Sequence, residues 1–185
     1  MKNKYQITTM VHEFIKDFIK KDDICLDLTV GKGQDALFLL NLIPEGYLYA
    51  FDIQKEAIAC SEALLGNSFS NYQLINDSHS NLCRYVDKEI GCAVLNLGYL
   101  PNGDHSINTS ADTTIEAIKQ AVSLLRVDGI ISICFYPGTE TGKEEMDSVL
   151  NYLKTLDSGK YLVIVNQFYN RPNNPPTPAY IIRTK

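Results

Sequence analysis

The sequence predicts a doubly wound α/β fold: a mostly parallel, seven-stranded sheet with helices on both faces and an antiparallel hairpin at its C-terminal end. Three observations carry this expectation. Short, continuous apolar runs alternate with segments of helical periodicity along the 185 residues, and such runs mark strands buried on both faces of a parallel sheet. The last two apolar runs have no helix between them, so they pair antiparallel. No internal repeat or low-complexity tract interrupts the alternation. A single domain over residues 1–185 is therefore expected, with residues 1–22 as an N-terminal helical segment packed on it.

Taken in order, Thr8 or Thr9 caps a first helix running to about Lys20, with a stripe of Met10, Phe14, Ile15, Phe18 and Ile19. Residues 24–28 form the first strand, followed by a Gly-rich turn and a helix over 34–42. Residues 47–53 are the second strand, and a helix over 54–65 stops at Gly66. A third strand at 72–75 precedes a short helix capped by Ser78. The fourth strand, 92–97, leads to a helix over 113–125, and the fifth, 129–136, to a helix over 144–156. Strands at 161–168 and 179–183 close the chain, separated by a Pro/Asn-rich loop over 170–178.

Composition narrows the function. Hydrophobic residues make up 45% and charged residues 21%, enough apolar surface to build a core. The 17 Lys+Arg against 22 Asp+Glu give a net charge of −5, which argues against a protein that coats nucleic acid but admits an enzyme touching RNA through a few cations. The five cysteines (Cys25, Cys60, Cys83, Cys92, Cys134) form no Cys-x-x-Cys pair, and the three histidines form no His-Glu-x-x-His pattern. No metal site is expected. Cys25 and Cys134 lie in strand-like runs, where a thiol behaves as a small buried hydrophobe. The longest apolar runs, 130–136 and 161–165, are far short of a bilayer span, and residues 1–17 do not read as a signal peptide. The expectation is a cytoplasmic protein with no membrane partner.

In a doubly wound sheet the ligand sits beyond the carboxyl ends of the strands, where strand order reverses. The first strand ends in Asp27-Leu28-Thr29-Val30-Gly31-Lys32-Gly33-Gln34-Asp35, a turn whose glycines let a ligand approach the backbone. The dinucleotide fingerprint needs a third glycine where Ala36 stands, and no Gly-Lys-Ser/Thr follows for a P-loop. The second strand ends in Phe51-Asp52-Ile53-Gln54, placing an acid where it can accept from both ribose hydroxyls of an adenosine; capping the next helix is a compatible role for Asp52. The third is followed by Asn76-Asp77-Ser78-His79, polar groups suited to an adenine edge, with helix capping the simpler role for Asp77 alone. The fourth ends in Asn96-Leu97-Gly98-Tyr99-Leu100-Pro101. Asn96 offers a carbonyl to a substrate N–H and Tyr99 a flat wall, which together suit a primary amine that must be oriented for attack on an electrophilic methyl group.

These motifs together resemble one family. Asp27-x-Thr29-x-Gly31-x-Gly33-x-Asp35, Phe51-Asp52-Ile53-Gln54, Ser78-His79 and the Asn96–Pro101 segment are similar to the MnmM-like (YtqB-like) group of class I S-adenosylmethionine-dependent methyltransferases, once labelled rRNA methylases. Tyr136-Pro137-Gly138, Glu144-Glu145 and Pro175-Pro176 extend the likeness over most of the chain. The resemblance implies a Rossmann-like fold and S-adenosyl-L-methionine as cofactor. It implies methylation of the amine of 5-aminomethyl-(2-thio)uridine at wobble position 34 of tRNA, with the anticodon arm as partner. By position, Asp52 and Gln54 would hold the ribose, Ser78 and His79 would lie beside the adenine and methionyl parts, and Gly31, Lys32, Gly33, Gln34 and Asp35 would wrap the methionine end, with Asp27, Thr29 and Asp77 also among the cofactor-binding residues. Asn96 and Tyr99 would orient and pack the target, with Asp104 or His105 accepting a proton. His79 is a rival base whose cofactor role is preferred, and His12, beside Glu13, reads as solvated. Lys32 and Gln34 stand where the family has Asn and His, and Thr139 where His is expected.

Phosphate contacts would come from a scattered set: Lys2, Lys4, Lys16, Lys20, Lys21, Arg84, Lys143 and Arg171. A methyltransferase of a small amine or of rRNA would use the same pocket. A non-catalytic adenosine-binding regulator would need Asp52 and the Gly turn but not Asn96 with Tyr99. The sequence leaves oligomeric state open, a homodimer included.

Overall fold

The structure, a computed structural model, describes residues 5–98 and 110–185. Seven strands form one sheet in the order β3-β2-β1-β4-β5-β7-β6. Strands β1 (Ile24–Asp27), β2 (Tyr47–Phe51), β3 (Tyr72–Ile75), β4 (Ile90–Leu97) and β5 (Leu125–Phe135) run parallel. Strand β7 (Thr177–Arg183) pairs antiparallel with both β5 and β6 (Tyr161–Val165), as the missing crossover helix requires. The chain winds outward from β1 to β3, then crosses back to lay β4 on the other side of β1. The reversal between β1 and β4 places a crevice at their carboxyl ends.

Helices α2 (Gln34–Leu42), α3 (Lys55–Leu65), α4 (Ala111–Leu124) and α5 (Glu140–Leu153) cover the sheet together with α1 (Ile7–Ile15). Two buried clusters result. One gathers Leu26, Leu95, Ile118, Ile131 and Phe135, the other Val11, Ile15, Leu39, Leu48, Val94 and Tyr180. Cys25 and Cys92 face each other in the β1–β4 register, and both are buried, as is Cys134. No helix among the described residues is long and apolar enough to cross a membrane.

Several boundaries differ from the sequence reading. Helix α1 ends at Ile15 and continues as one 3-10 turn over Lys16–Phe18. Its N-cap is Gln6, which makes no side-chain cap bond, so neither Thr8 nor Thr9 caps it. Its inward face is Val11 and Ile15, while Met10 is 41% exposed. Helix α5 begins four residues early because Thr139 caps it, its hydroxyl accepting the Gly142 N–H at 3.1 Å. Helix α4 passes into β5 with no loop between Leu124 and Leu125.

The N-terminal segment is fastened to the sheet at the amino ends of its strands. Asp23 is nearly buried and receives Arg126 through Nε at 2.7 Å and Nη2 at 2.6 Å. The same carboxylate accepts the Lys20 N–H at 2.7 Å, and Arg126 Nη2 also donates to the Phe18 carbonyl at 2.8 Å. Gly91 makes room for this: a Cβ there would overlap the Asp23 carboxylate. Breaking a buried, bidentate pair strands the remaining charge, so Asp23→Ala should lower unfolding free energy by about 3 kcal/mol or more. Urea denaturation of the variant measures it; a loss under about 1 kcal/mol, the worth of an exposed pair, would show that the network is decorative.

Candidate active site

The crevice at the carboxyl ends of β1 and β4 gathers most of the residues singled out in the sequence. After β1, Gly31 and Gly33 take positive φ (51° and 76°), a region where a side chain is strained. Gly33 is the N-cap of α2, and a Cβ on it would press to 3.0 Å from the Ser61 hydroxyl. That hydroxyl donates to the Gly31 carbonyl at 3.1 Å, pinning the turn against α3.

Asp52, at the exit of β2, accepts the Gly31 N–H at 3.0 Å and the Gln54 N–H at 2.9 Å. It therefore braces the glycine turn rather than capping α3, whose N-cap is Gln54. Each carboxylate oxygen carries two acceptor sites, so Asp52 keeps capacity for further donors. Asn76 spends its amide on the Asp52 and Ile53 carbonyls, both at 3.0 Å, which holds the exits of β2 and β3 together.

Asp77 is occupied by its own loop. It accepts from the Tyr85 hydroxyl at 2.9 Å, Asn81 Nδ2 at 3.0 Å and the Ser78 N–H at 2.7 Å, donors that hold its carboxyl below the usual carboxylate range. Ser78 caps the 3-10 turn His79–Arg84, its hydroxyl accepting the Ser80 N–H. His79 is buried, which lowers its pKa and favours the neutral imidazole, while the Leu28 carbonyl and Asp52 oppose that shift. Its Nε2 has no partner among the described residues.

Asp27 is fully buried, and its Oδ2 is likewise unpartnered among the described residues. Its Oδ1 accepts the Thr29 N–H at 3.2 Å. Burial, then the nearby charges of Asp35 and Asp52, pushes its carboxyl well above the usual carboxylate range. The folded protein thus keeps this proton at pH values where the unfolded chain has released it. The stability linked to it is full below the unfolded pKa of about 3.9 and is lost as pH rises toward the folded value. Asp27→Asn should remove that dependence, so its melting temperature should fall less than the native protein's between about pH 5 and pH 8. Parallel slopes for the two proteins would contradict the assignment.

Asn96, near the end of β4, is fixed at both ends. Its backbone N–H donates to the Thr29 hydroxyl at 2.7 Å, and its Nδ2 to Asp35 Oδ2 at 2.6 Å. The carboxylate is an acceptor, so the amide nitrogen must face it and the Oδ1 carbonyl is left to accept. Asp35 Oδ1 in turn meets His12 Nε2 at 2.6 Å. His12 is therefore not the solvated residue expected from its neighbour Glu13: it is half-buried, with its ring stacked on Phe38 at 3.7 Å. Cys134 and Ser132 of β5 line the same cleft. Lys32 on the turn and Gln34 at the start of α2 are both exposed. Tyr99, Asp104 and His105 lie outside the described residues, as do Lys2 and Lys4.

The sequence reading missed His12 and Cys134 as parts of this site. Cys134 could have been found two residues before Tyr136-Pro137-Gly138, on a strand bordering β4. Nothing local marks His12, whose partner is 23 residues away. The assembled arrangement offers a backbone cradle, an acid at the β2 end, two orphaned buried polar atoms and an oriented amide carbonyl. It suits a ligand with hydroxyls and a cationic group, set beside an N–H donor. Among the described residues no group of three or more His, Cys, Asp or Glu could hold a metal ion.

Comparison with known proteins gives a consistent answer. A family model described as "Putative rRNA methylase" matches residues 48–182. A chloroplastic tRNA (mnm(5)s(2)U34)-methyltransferase of Arabidopsis thaliana is 34% identical over 181 residues, covering 91% of this chain. The chain spans 66% of that relative's length, just under two thirds. Among solved structures, a "putative rRNA-methylase" from Clostridium thermocellum superposes with a TM-score of 0.93 at 39% identity, covering 99% of this chain and 98% of its own. A "putative methyltransferase" from Streptococcus mutans, solved in complex with SAH, gives a TM-score of 0.89 at 35% identity, covering 96% and 98%.

Proposed function

The chain belongs to the family described as "Putative rRNA methylase", and on that premise we propose an S-adenosyl-L-methionine-dependent N-methyltransferase acting on tRNA. The substrate in this reading is the amine of 5-aminomethyl-(2-thio)uridine at wobble position 34, in the anticodon arm, and the product its 5-methylaminomethyl form. The observation that carries the reading is the Asn96 amide, whose nitrogen is committed to Asp35 and whose carbonyl is left to accept. The name and 34% identity of the Arabidopsis relative support the substrate.

The residues present fit the cofactor. Asp52 would accept from the ribose hydroxyls, and the backbone of Gly31 and Gly33 would admit the methionine end. The unpartnered Asp27 Oδ2 suits its ammonium group, whose positive charge would favour release of the Asp27 proton, and the unpartnered His79 Nε2 suits a polar atom of the nucleoside. When bound, S-adenosyl-L-methionine would supply an electrophilic methyl group and leave as S-adenosylhomocysteine, its sulfur keeping the electron pair of the broken methyl bond, while the amine nitrogen would give up a proton. The protein's share is positioning. Asn96 Oδ1 accepts an amine N–H, which fixes where the nitrogen lone pair points. Tyr99 would pack on the uracil and Asp104 would accept the proton.

The test is methyl transfer from labelled S-adenosyl-L-methionine to tRNA lacking the terminal methyl group, followed by nucleoside mass analysis. One methyl added to 5-aminomethyl-(2-thio)uridine is the expected result. Transfer to rRNA or a small amine alone would move the substrate while keeping the cofactor and the site.

A further inference from the structure

We propose that His12, on the N-terminal helix, is a positioning residue: through Asp35 it determines which end of the Asn96 amide faces the target amine. The inference rests on the role of Asn96 given above and extends it to a residue 84 positions upstream in the sequence (96 − 12).

An asparagine side chain has two nearly isosteric orientations that differ only in presenting a carbonyl or an NH2. Only the carbonyl orients an amine for attack; a flipped amide would aim an N–H at the lone pair that must react. Asp35 makes the choice, because an ionised carboxylate accepts only, and Asn96 Nδ2 sits 2.6 Å from its Oδ2. A carboxylate free to rotate or to drift would release that lock. Its other oxygen is held by His12 Nε2 at 2.6 Å. The imidazole is itself immobilised, lying flat on Phe38 with ring centroids 3.7 Å apart and planes 3° from parallel. Phe38, His12, Asp35 and Asn96 therefore form one chain of contacts joining α1, α2 and β4. Neutral with its hydrogen on Nε2, or protonated, the imidazole donates to Asp35 in either state.

A packing role for His12 makes the opposite demand on substitutions. His12→Phe keeps a ring to stack on Phe38 and removes the donor. His12→Gln keeps an N–H donor of similar reach and removes the ring. His12→Ala discriminates poorly, since the cleft beside Asp35 and Asn96 has a free volume of about 10 Å3 and a truncated side chain would let a water replace the imidazole.

The experiment measures kcat and KM for tRNA, the dissociation constant for S-adenosylhomocysteine and the melting temperature for His12→Phe, His12→Gln, Asp35→Asn and Asn96→Ala. His12→Phe should lower kcat about 10-fold or more, with cofactor affinity and melting temperature near the native values. His12→Gln should keep kcat within about 3-fold of native, whatever it loses in stability. Asp35→Asn can turn either a donor or an acceptor toward Asn96, and should fall further than His12→Phe. The proposal is overturned if His12→Phe keeps native kcat, or if His12→Gln falls as far as His12→Phe. Should His12→Phe not fold, the His12→Gln and Asp35→Asn results decide: a His12→Gln enzyme crippled in kcat, or an Asp35→Asn enzyme unimpaired, overturns it. If Asn96→Ala is impaired and His12→Phe is not, the role of His12 fails while that of Asn96 stands. If Asn96→Ala turns over normally, both fall.

Discussion

Asn96→Ala should lower the turnover number for methyl transfer by about 10²- to 10³-fold, the range seen when a single orienting or charge-stabilising hydrogen bond is removed from a reacting centre. The dissociation constant for S-adenosylhomocysteine should stay within about 2-fold, since alanine retains the backbone N–H bonded to Thr29 and leaves the glycine turn untouched. Asp35 would keep its contact with His12, so the cleft has no reason to collapse. Asn96→Asp makes a sharper companion: a second carboxylate within hydrogen-bond distance of Asp35 cannot ionise freely beside it. It should be as impaired as the alanine variant at neutral pH although it is nearly isosteric. Single-turnover kinetics with saturating cofactor separates the chemical step from binding. Native single-turnover rates in either variant would exclude amide orientation as the function of this side chain.

Asp52→Ala should weaken S-adenosylhomocysteine binding by about 10²- to 10³-fold. Two hydroxyl-to-carboxylate hydrogen bonds at about 1.5–2 kcal/mol each give that range. Part of the loss has a structural origin, because Asp52 also receives the Gly31 and Gln54 N–H groups and shapes the turn from beneath. Asp52→Asn divides the two contributions. An amide oxygen can receive one backbone N–H but cannot offer two accepting oxygens to a diol. If bracing the Gly31 N–H were the whole role, the asparagine variant, with its amide oxygen toward Gly31, would recover most of the affinity. If ribose recognition dominates, it should remain within about 10-fold of the alanine variant. Calorimetric titration of the three proteins, with melting curves run alongside, reads out both.

The sheet and the glycine turn at the crevice were legible in the sequence because local features specify them. Tyr72–Ile75 and Gln34–Leu42 are an apolar run and an apolar-rich helix bounded by turn residues, and both elements have the expected ends. Gly31, Gly33 and Asp52 were likewise marked by the strand ends they occupy. Where reading failed, the cause was long-range packing. Of the expected inner stripe of α1, Ile15 is buried, but Met10 and Phe14 are exposed and Val11 is buried in their place, and that orientation brings His12 to Asp35. Residues 126–128 fall between the expected helix and strand, yet β5 starts at Leu125, with Arg126 paired to Asp23 and the β4–β5 register shifting between Ile90 and Cys92. Glu140 to Lys143 precede the helix expected from Glu144, although Thr139 caps α5 ahead of them. The lock on Asn96 left no local signature at all, since Asp35 lies 61 residues away and His12 a further 23.

The tie between Asp23 and Arg126 has a consequence for how the chain is made. Its two ends are 103 residues apart in sequence. Emerging from the ribosome at about 5–20 residues per second, Asp23 waits several seconds or longer before its guanidinium partner is synthesised. The sheet order compounds the delay, because β1 lies between β2 and β4, and β4 follows it by some sixty residues. The N-terminal helix should therefore be among the last elements to settle during synthesis, although it is among the first to appear.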